Sequence, residues 1–180
     1  MMLKPIKLPI IIDSGFQQKI IEFAMYTNID DFIINPNGKN RRYCNLNTID
    51  CDLTNIVKDF SKKCYDLIGI SYINEEHIFG NFIGVNSEGA FVHEHTDPKN
   101  NLGYHHVRIN FMIQKPFGGG NPVLNSVEYE IDERGSWINI ADLWKHKSTE
   151  VKGIKERIVL SLGNYVNPND VMVFGKKQGF

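Results

Sequence analysis

The chain has 180 residues, of which 42% are hydrophobic and 23% charged, and its 20 basic and 21 acidic residues leave a formal net charge of -1 at pH 7. This composition is that of an ordinary globular protein and excludes a disordered or fibrous chain. The balanced charge gives no electrostatic reason to expect nucleic acid or an anionic membrane as a partner.

The first 70 or so residues carry helical patterns. The run IKLPIII predicts a short strand, and its proline, Pro9, indicates a sheet edge. Asp13 or Ser14 is a candidate cap for a helix over DSGFQQKIIEFAMY, and a second helix fits LTNIVKDFSKKCYDLIG. In the second helix, the apolar positions at helical spacing are Ile56, Val57, Phe60, Cys64 and Leu67.

Two polar stretches lie between and beside these helices. INPNGKN is rich in turn-forming residues and predicts a loop. The basic run Lys39 to Arg42, KNRR, is interpreted as a solvated loop rather than a phosphate-binding patch.

From about Ser71 the period of the sequence changes from helical to strand-like. Short apolar runs alternate with turn signals such as NSEG, DPKNNLG, KPFGGGN and DERG. The predicted strands are HIFGNFIGVN, GAFVHEHT, HHVRINFMIQ, NPVLNSVEYEI, GSWINIA and ERIVLSLGNYV. This pattern predicts an α+β, mainly β chain in a single domain 1–180, with a helical N-terminal region over residues 1–70, a sandwich or barrel over 71–166 and a C-terminal extension 167–180 that forms an extra strand or a loose tail.

The cysteines and the N-terminus indicate where the protein works. Cys44, Cys51 and Cys64 are odd in number and show no CxxC spacing, so reduced thiols are expected. MMLKPIKLPIII lacks the features of a signal peptide, and no segment reaches the length of a membrane span. We expect a soluble cytoplasmic protein.

The run GAFVHEHTDP, residues 89–98, contains three groups that could bind a metal. In a strand, Phe91, His93, His95 and Asp97 would share one face, because side chains alternate. A non-haem iron site needs two histidines and one carboxylate on one side of the metal. His95 and Asp97 can supply two of these ligands, and His146, in ADLWKHKS, is the candidate third.

Two arginines stand on predicted strands near these residues. Arg157 follows His146 by 11 positions and opens the strand RIVLSLG, where a guanidinium could hold a carboxylate through two hydrogen bonds. In HHVRINFMIQ, Arg108 shares a face with His106, Asn110 and Met112, opposite an apolar face. A second arginine near an anionic ligand is therefore expected.

The order H-x-D, distal H and then R in a β-rich chain resembles the iron(II)- and 2-oxoglutarate-dependent oxygenases. The resemblance covers roughly Val85 to Val166. HTDPKNNLGYHHVRINFMI and GSWINIADLWKH are similar to segments of the aspartyl/asparaginyl β-hydroxylases, and NSEGAFVHEHTD and FGGGNPVL are similar to the prolyl 4-hydroxylase pattern. The resemblance implies a double-stranded β-helix, or jelly roll, with N-terminal helices packed on it.

The resemblance also implies a reaction and a set of site residues. Iron(II) would be bound by His95, Asp97 and His146, and the far carboxylate of 2-oxoglutarate by Arg157, with help from Arg108 and a contact from Asn110. With O2, the enzyme would hydroxylate an unactivated C–H bond of a peptidyl or free amino acid.

Three departures from the family patterns leave the branch open. Asn110 stands where the β-hydroxylases usually have histidine, and Asn86 where prolyl hydroxylases have tyrosine. Ser161 follows Arg157 by four positions, not two, so the R-x-S motif of other branches is missing.

Other interpretations remain beside this one. His93-x-His95 could be the H-x-H motif of a cupin, although the glutamate that a cupin has shortly after this motif is missing. The alternative function is that of a non-catalytic or zinc-holding jelly roll. A third interpretation is oxidation of a nucleobase. It would require a second arginine shortly after Arg157, and RIVLSLGNYV contains none. We expect His93 to line the pocket, and His105 and His106 to be exposed.

Overall fold

The computed structural model describes residues 7–26, 32–34 and 40–178. Three α-helices occur in the described residues, α1 (Ser14–Tyr26), α2 (Asp52–Ile68) and α3 (Pro168–Gln178), and a 3-10 helix spans Leu46–Thr48. The strands are β1 (Lys7–Leu8), β2 (Ile33–Ile34), β3 (Arg41–Asn45), β4 (Asn74–Glu75), β5 (Asn81–Asn86), β6 (His105–Gln114), β7 (Gly118–Gly119), β8 (Pro122–Leu124), β9 (Val127–Glu128), β10 (Ser136–Ile140), β11 (His146–Ser148), β12 (Val151–Lys152) and β13 (Arg157–Val166).

Eight of these strands form the main sheet. Their order is β1-β10-β6-β13-β5-β3-β2, and β4 also pairs with β13. Every pair is antiparallel. Two small antiparallel sheets, β11-β8-β9 and β12-β7, complete the structure. The chain is therefore mainly β, with helices added to antiparallel sheets.

The helices cover one face of the main sheet. The predicted apolar face of β6 lies in this interface, because Val107, Ile109 and Phe111 are fully buried in the same cluster as residues from the helices. The Tyr65 hydroxyl of α2 donates to the carbonyls of Val107 and Leu162, at 2.8 and 3.1 Å. A buried hydroxyl with two carbonyl acceptors fixes the helix on the sheet at one point.

The other face of the main sheet carries polar residues and a smaller apolar cluster. Met112, Trp137 and Val159 pack there with Leu124 of the small sheet. The alternation predicted for β6 and β13 is therefore confirmed, and it places the helices on one side and a polar cavity on the other.

Several predicted elements agree with the structure. β6, β10 and β13 begin and end close to the predicted positions, and α1 begins at Ser14 with the Asp13 carboxylate accepting from the Phe16 amide. β1 lies at the edge of the main sheet, as Pro9 indicated. Among the described residues, no helix is both long and apolar enough to cross a membrane.

Other predictions are wrong. The run 89–98 is not a regular strand, because only His95 forms a β-bridge, with His146. The run predicted as one strand from Asn121 is the hairpin of β8 and β9, since Asn125 and Ser126 adopt positive φ angles of 47° and 68° and turn the chain. The described part of the C-terminal extension is neither a strand nor a loose tail, because Pro168–Gln178 form helix α3.

Two predictions about the N-terminal region also need correction. Arg41 and Arg42 are in strand β3 rather than in a solvated loop, while Lys39 and most of INPNGKN lie outside the described residues. In α2, Val57 and Cys64 are buried as expected, but Ile56 and Leu67 are 40% and 74% exposed. The division of the chain into one domain stays a prediction.

Candidate active site

A cavity of about 450 Å³ lies between the main sheet and the smaller sheet that contains β8 and β11. One wall consists of side chains from β3, β5, β6, β10 and β13, and the other of residues from β8, β11 and the run 92–97. Its volume falls in the range of cavities that hold small-molecule ligands. The position of the cavity follows from the polar face of the main sheet.

Three of the predicted site residues meet in the wall of this cavity. Ligand atoms of His95, Asp97 and His146 all lie within 4.8 Å of one another. The Asp97 Oδ1 atom is 3.4 Å from Nε2 of His95 and 3.4 Å from Nε2 of His146. Two donor atoms at right angles on one metal, each about 2.1 Å from it, lie roughly 3 Å apart, so the three groups are close to a ligand arrangement.

The β-bridge between His95 and His146 explains why these residues meet. Each backbone amide donates to the other residue's carbonyl, at 3.0 Å from His95 and 2.8 Å from His146. The amide of Asp97 donates to the carbonyl of Ala141, at 2.8 Å. Backbone hydrogen bonds, rather than a regular strand, therefore position the three side chains.

The two imidazoles are oriented for metal binding. Nδ1 of His95 is 2.7 Å from the carbonyl of His93, and Nδ1 of His146 is 3.0 Å from the carbonyl of Trp144. A carbonyl can only accept, so each Nδ1 carries the proton in the neutral ring and each Nε2 keeps its lone pair. This is the pairing usual in histidines that bind a metal.

The second oxygen of Asp97 is held from behind. Arg108 Nε donates to Asp97 Oδ2 at 3.3 Å, and His106 Nδ1 lies 3.2 Å from the same oxygen. Burial alone would raise the pKa of Asp97, but the two site histidines and the charge of Arg108 hold it well below its usual range. Asp97 is therefore an ionised carboxylate with Oδ1 turned toward the histidines.

Arg108 is itself held by a buried acid. Its Nη2 is 2.5 Å from Glu76 Oε1, and its Nη1 donates to the Gly80 carbonyl and the Ser161 hydroxyl. Each guanidinium nitrogen thus has an acceptor in the protein. The prediction that Arg108 helps to hold 2-oxoglutarate is untested, and these contacts favour a different role, the orientation of Asp97.

Glu76 was not found from the sequence. It is 1% exposed, and its carboxylate also accepts from the backbone amides of Ile78, Phe79 and Gly80. Three amide donors and an arginine supply the hydrogen bonds that a buried carboxylate needs. Nothing in SYINEEHIFG distinguishes Glu76 from Glu75, so this role depends on the fold.

His106 is buried, not exposed as expected. It is 1% exposed, and burial, together with the charge of Arg108, lowers its pKa to about 4. The ring is therefore neutral at pH 7. It can donate to Asp97 without adding a charge to the site.

Arg157 lies in the same cavity, and no carboxylate among the described residues is paired with it. The residue is 7% exposed, its Nε atom has no hydrogen-bond acceptor, and no ion pair links it to a described residue. Burial, and to a lesser extent the charge of Arg41, lowers its pKa to about 9. A buried guanidinium without a counter-ion is costly, and an anion from outside the chain would remove that cost.

The glycine run near β7 makes room for Arg157. A Cβ atom on Gly120 would lie 2.8 Å from Cδ of Arg157, and Gly120 has a φ of 66°, a conformation that favours glycine. The turn predicted for this run therefore also shapes the wall of the cavity.

The remaining predicted residues also face the cavity. Asn110 lines it and makes no side-chain hydrogen bond to a described residue, and His93 lines it and is exposed. His93 is not in the group of close ligand atoms found among the described residues. Its carbonyl holds His95, which makes His93 a neighbour of the site.

Arg41 is a cavity residue that the sequence did not reveal as one. Its basic run was interpreted as solvated, but β3 pairs with β5 and turns this side chain toward the cavity. The signal that could have found it is the alternation RRYCN, in which Arg41, Tyr43 and Asn45 share one face.

Comparisons with known proteins find similarity in structure but not in sequence. No protein-family model matches the chain, and no curated protein matches it significantly. A prolyl-4-hydroxylase of Pseudomonas putida superposes with a TM-score of 0.64 at 11% identity, covering 91% of this chain and 92% of that one. A viral collagen prolyl hydroxylase of Paramecium Bursaria Chlorella virus-1, solved with 2-oxoglutarate, superposes with a TM-score of 0.65 at 12% identity. The match covers 91% of this chain and 96% of that one.

HygX from Streptomyces hygroscopicus, solved with nickel and 2-oxoglutarate, is similar to the same extent. Its TM-score is 0.66 at 7% identity, and 91% of this chain and 83% of that one are covered. At such identities the likeness establishes the fold alone. The chain has the fold of the iron(II)- and 2-oxoglutarate-dependent oxygenases, including their prolyl hydroxylases.

Proposed function

We propose that this protein is an iron(II)- and 2-oxoglutarate-dependent dioxygenase that hydroxylates an unactivated C–H bond of a peptidyl or free amino acid. One observation carries the proposal. A group of two histidines and one carboxylate shares a cavity with a buried arginine that has no counter-ion among the described residues. The main sheet and the smaller sheets opposite it would form the double-stranded β-helix.

The residues have distinct roles in this proposal. His95, Asp97 and His146 would hold the metal through Nε2, Oδ1 and Nε2. When bound, iron(II) and 2-oxoglutarate supply the oxidising chemistry, in which O2 is consumed, 2-oxoglutarate becomes succinate and CO2, and a hydroxyl group is added to the substrate. No side chain is required as a general base.

Arg157 would bind the far carboxylate of 2-oxoglutarate. Charge-assisted hydrogen bonds from a guanidinium are strong in a buried site, and the bound carboxylate would neutralise the isolated charge. Asn110, whose side-chain amide is uncommitted among the described residues, is proposed as a further contact. Arg108 and His106 would keep the Asp97 carboxylate turned toward the metal.

The apolar part of the cavity would keep water from the reacting centre. Val159 and Trp137 line it and are each 5% exposed, and Phe82 covers the Arg108 guanidinium at 5.0 Å. An apolar wall that excludes water strengthens the electrostatic contacts inside the cavity.

The test of this proposal is succinate formation. The protein is stripped of metal, loaded with iron(II) and 2-oxoglutarate without oxygen, and then exposed to O2 with candidate peptides and amino acids. We expect succinate only when metal, co-substrate and O2 are all present, and none from His146→Ala. A wild-type protein that binds iron(II) and 2-oxoglutarate but releases no succinate with any candidate would favour the non-catalytic jelly roll.

A further inference from the structure

Three nitrogen donors form a row across the cavity wall, which we call the donor row. It consists of Arg41 on β3, Asn86 on β5 and Arg157 on β13. Asn86 is the register partner of both arginines, so the three residues lie side by side. Adjacent strands are about 4.8 Å apart, so the row spans roughly 10 Å between its outer Cα atoms. All three side chains line the cavity.

The donor row has no acceptor among the residues that the structure describes. Nε of Arg157 and Nδ2 of Asn86 are buried without a hydrogen-bond partner, and both residues are less than a tenth exposed. Arg41 forms no ion pair or side-chain hydrogen bond with a described residue. Buried donors are normally paired, so this row is built to receive acceptors from outside.

Arg42, the next residue, shows the contrast. It lies on the opposite face of β3, where its Nη2 is 3.5 Å from Glu156 and donates to the Ala24 carbonyl, and its guanidinium covers the Phe32 ring at 5.1 Å. The two arginines have the same charge and the same strand, but among the described residues only Arg42 has partners. Arg41 is therefore not a surface cation that happens to point inward.

The charges around the cavity leave Arg41 uncompensated. Arg108 is paired with Glu76, and Lys147 lies 3.3 Å from Glu94. Asp97 faces the two site histidines. The far carboxylate of one 2-oxoglutarate would neutralise one arginine of the donor row, and one cation would remain in the cavity.

The position of Arg41 points to the substrate side. It lines the same cavity as Arg157 and the site histidine His95, and Asn86 separates it from Arg157 in the donor row. Its side chain is partly accessible, whereas Arg157 is buried. A partly accessible guanidinium beside a buried one is the group that a molecule entering the cavity after the co-substrate would contact.

We propose that Arg41 binds a carboxylate of the substrate, so that the molecule hydroxylated is an acid. An acidic peptide side chain or a free amino acid or other small acid fits this description. The inference rests on the proposed function and adds the substrate's chemical class to it. Asn86 and Arg157, the other members of the donor row, would bind the co-substrate.

Binding measurements test this without catalysis. The protein is loaded with nickel in place of iron, saturated with 2-oxoglutarate and titrated by calorimetry with capped glutamate and aspartate and with their amide counterparts, capped glutamine and asparagine. We expect the acids to bind at least about tenfold more tightly than the amides, since a hydrogen bond between two charged groups is much stronger than one to a neutral amide. Arg41→Gln should remove this preference, and Arg42→Gln should keep it.

Two results would overturn the inference. The first is equal behaviour of the acids and amides with the wild-type protein, including undetectable binding of both. The second is a loss of 2-oxoglutarate affinity in Arg41→Gln as large as that in Arg157→Gln, which would assign Arg41 to the co-substrate. Failure of the proposed function looks different, because the iron-loaded wild type would then release no succinate, or 2-oxoglutarate would not bind to the wild type at all. If 2-oxoglutarate does not bind, the acid preference is measured on the nickel-loaded protein without it. Equal binding of the acids and the amides would again overturn the inference.

Discussion

At the scale of single residues, the central feature of the site is that the two oxygens of Asp97 face different partners. Oδ2 is held by Arg108 and lies beside His106, while Oδ1 faces His95 and His146. The sequence could predict that His95, Asp97 and His146 come together, because the order of these residues is a pattern. It could not predict Glu76, because the arginine paired with it lies on a distant strand, and it missed Arg41, because the position of Arg41 in the cavity depends on the pairing of β3 with β5.

The first prediction concerns the metal ligands. His95→Ala and Asp97→Ala should each abolish stoichiometric binding of a divalent metal, because each removes one of the three proposed protein ligands. His93→Ala should leave metal binding measurable, since His93 contributes its backbone carbonyl to His95 and not its ring. Metal content and calorimetry decide this, and equal loss in all three variants would support the H-x-H interpretation.

The second prediction concerns Arg108 as a positioning residue. Arg108→Met should destabilise the fold by about 3 kcal/mol, because Glu76 would remain buried without its cation. It should also weaken metal binding about 10- to 100-fold, as is usual when the residue that orients a ligand is lost. Urea unfolding and metal titration measure the two effects.

A double variant separates these effects. Adding Glu76→Gln to Arg108→Met removes the isolated charge and should recover some of the stability, while metal affinity should stay low. Wild-type metal affinity in either variant would show that Arg108 does not orient Asp97.

At the scale of elements, the long strands were predictable and the short ones were not. β6 and β13 have one apolar face against the helices and one mixed face toward the cavity, and this alternation is visible in their sequences. The run 89–98 alternates in the same way, yet its hydrogen bonds with β11 and its neighbours are too irregular for a strand. The alternation of residues along a segment predicts which of its faces is buried. Whether the segment forms a regular strand depends on the neighbouring segment with which its backbone pairs.

The glycine run provides the third prediction. A Cβ atom on Gly119 would lie 1.8 Å from the Glu150 carbonyl oxygen, and the φ of Gly119 is 63°. Gly69, at the end of α2, has a φ of 70° but open space around it. Gly119→Ala should therefore lower the unfolding free energy clearly more than Gly69→Ala, whose cost is limited to the backbone conformation, about 1 kcal/mol.

Chemical denaturation of the two variants tests this, and the difference between them isolates the steric clash. Equal destabilisation would mean that β7 and β12 move apart easily. In that case Gly120, the next residue, would not fix the position of Arg157.

At the scale of the whole molecule, the fourth prediction concerns ligand-induced stability. A metal and 2-oxoglutarate that bind only the folded chain should each raise its melting temperature, by an amount equivalent to about 2.7 kcal/mol at a hundredfold excess over the dissociation constant. Arg157→Gln should keep the increase due to the metal and lose most of the increase due to 2-oxoglutarate. Thermal unfolding with zinc, which permits no turnover, measures both.

Arg157→Lys is the companion variant, since it keeps the charge but loses the planar pair of donors. We expect an intermediate shift with 2-oxoglutarate. A full shift in Arg157→Gln would remove Arg157 from the co-substrate site.

The two site imidazoles are fixed by backbone carbonyls at Nδ1, so the ligand set is prepared before any metal arrives. Two nitrogens and one oxygen do not select iron, because nickel, copper and zinc bind such sets more tightly than iron(II) does. The metal in the purified protein should therefore follow the supply of metals in the growth medium. Preparations rich in zinc would be folded and inactive, and a brief chelation followed by iron(II) should restore the activity that such preparations lack.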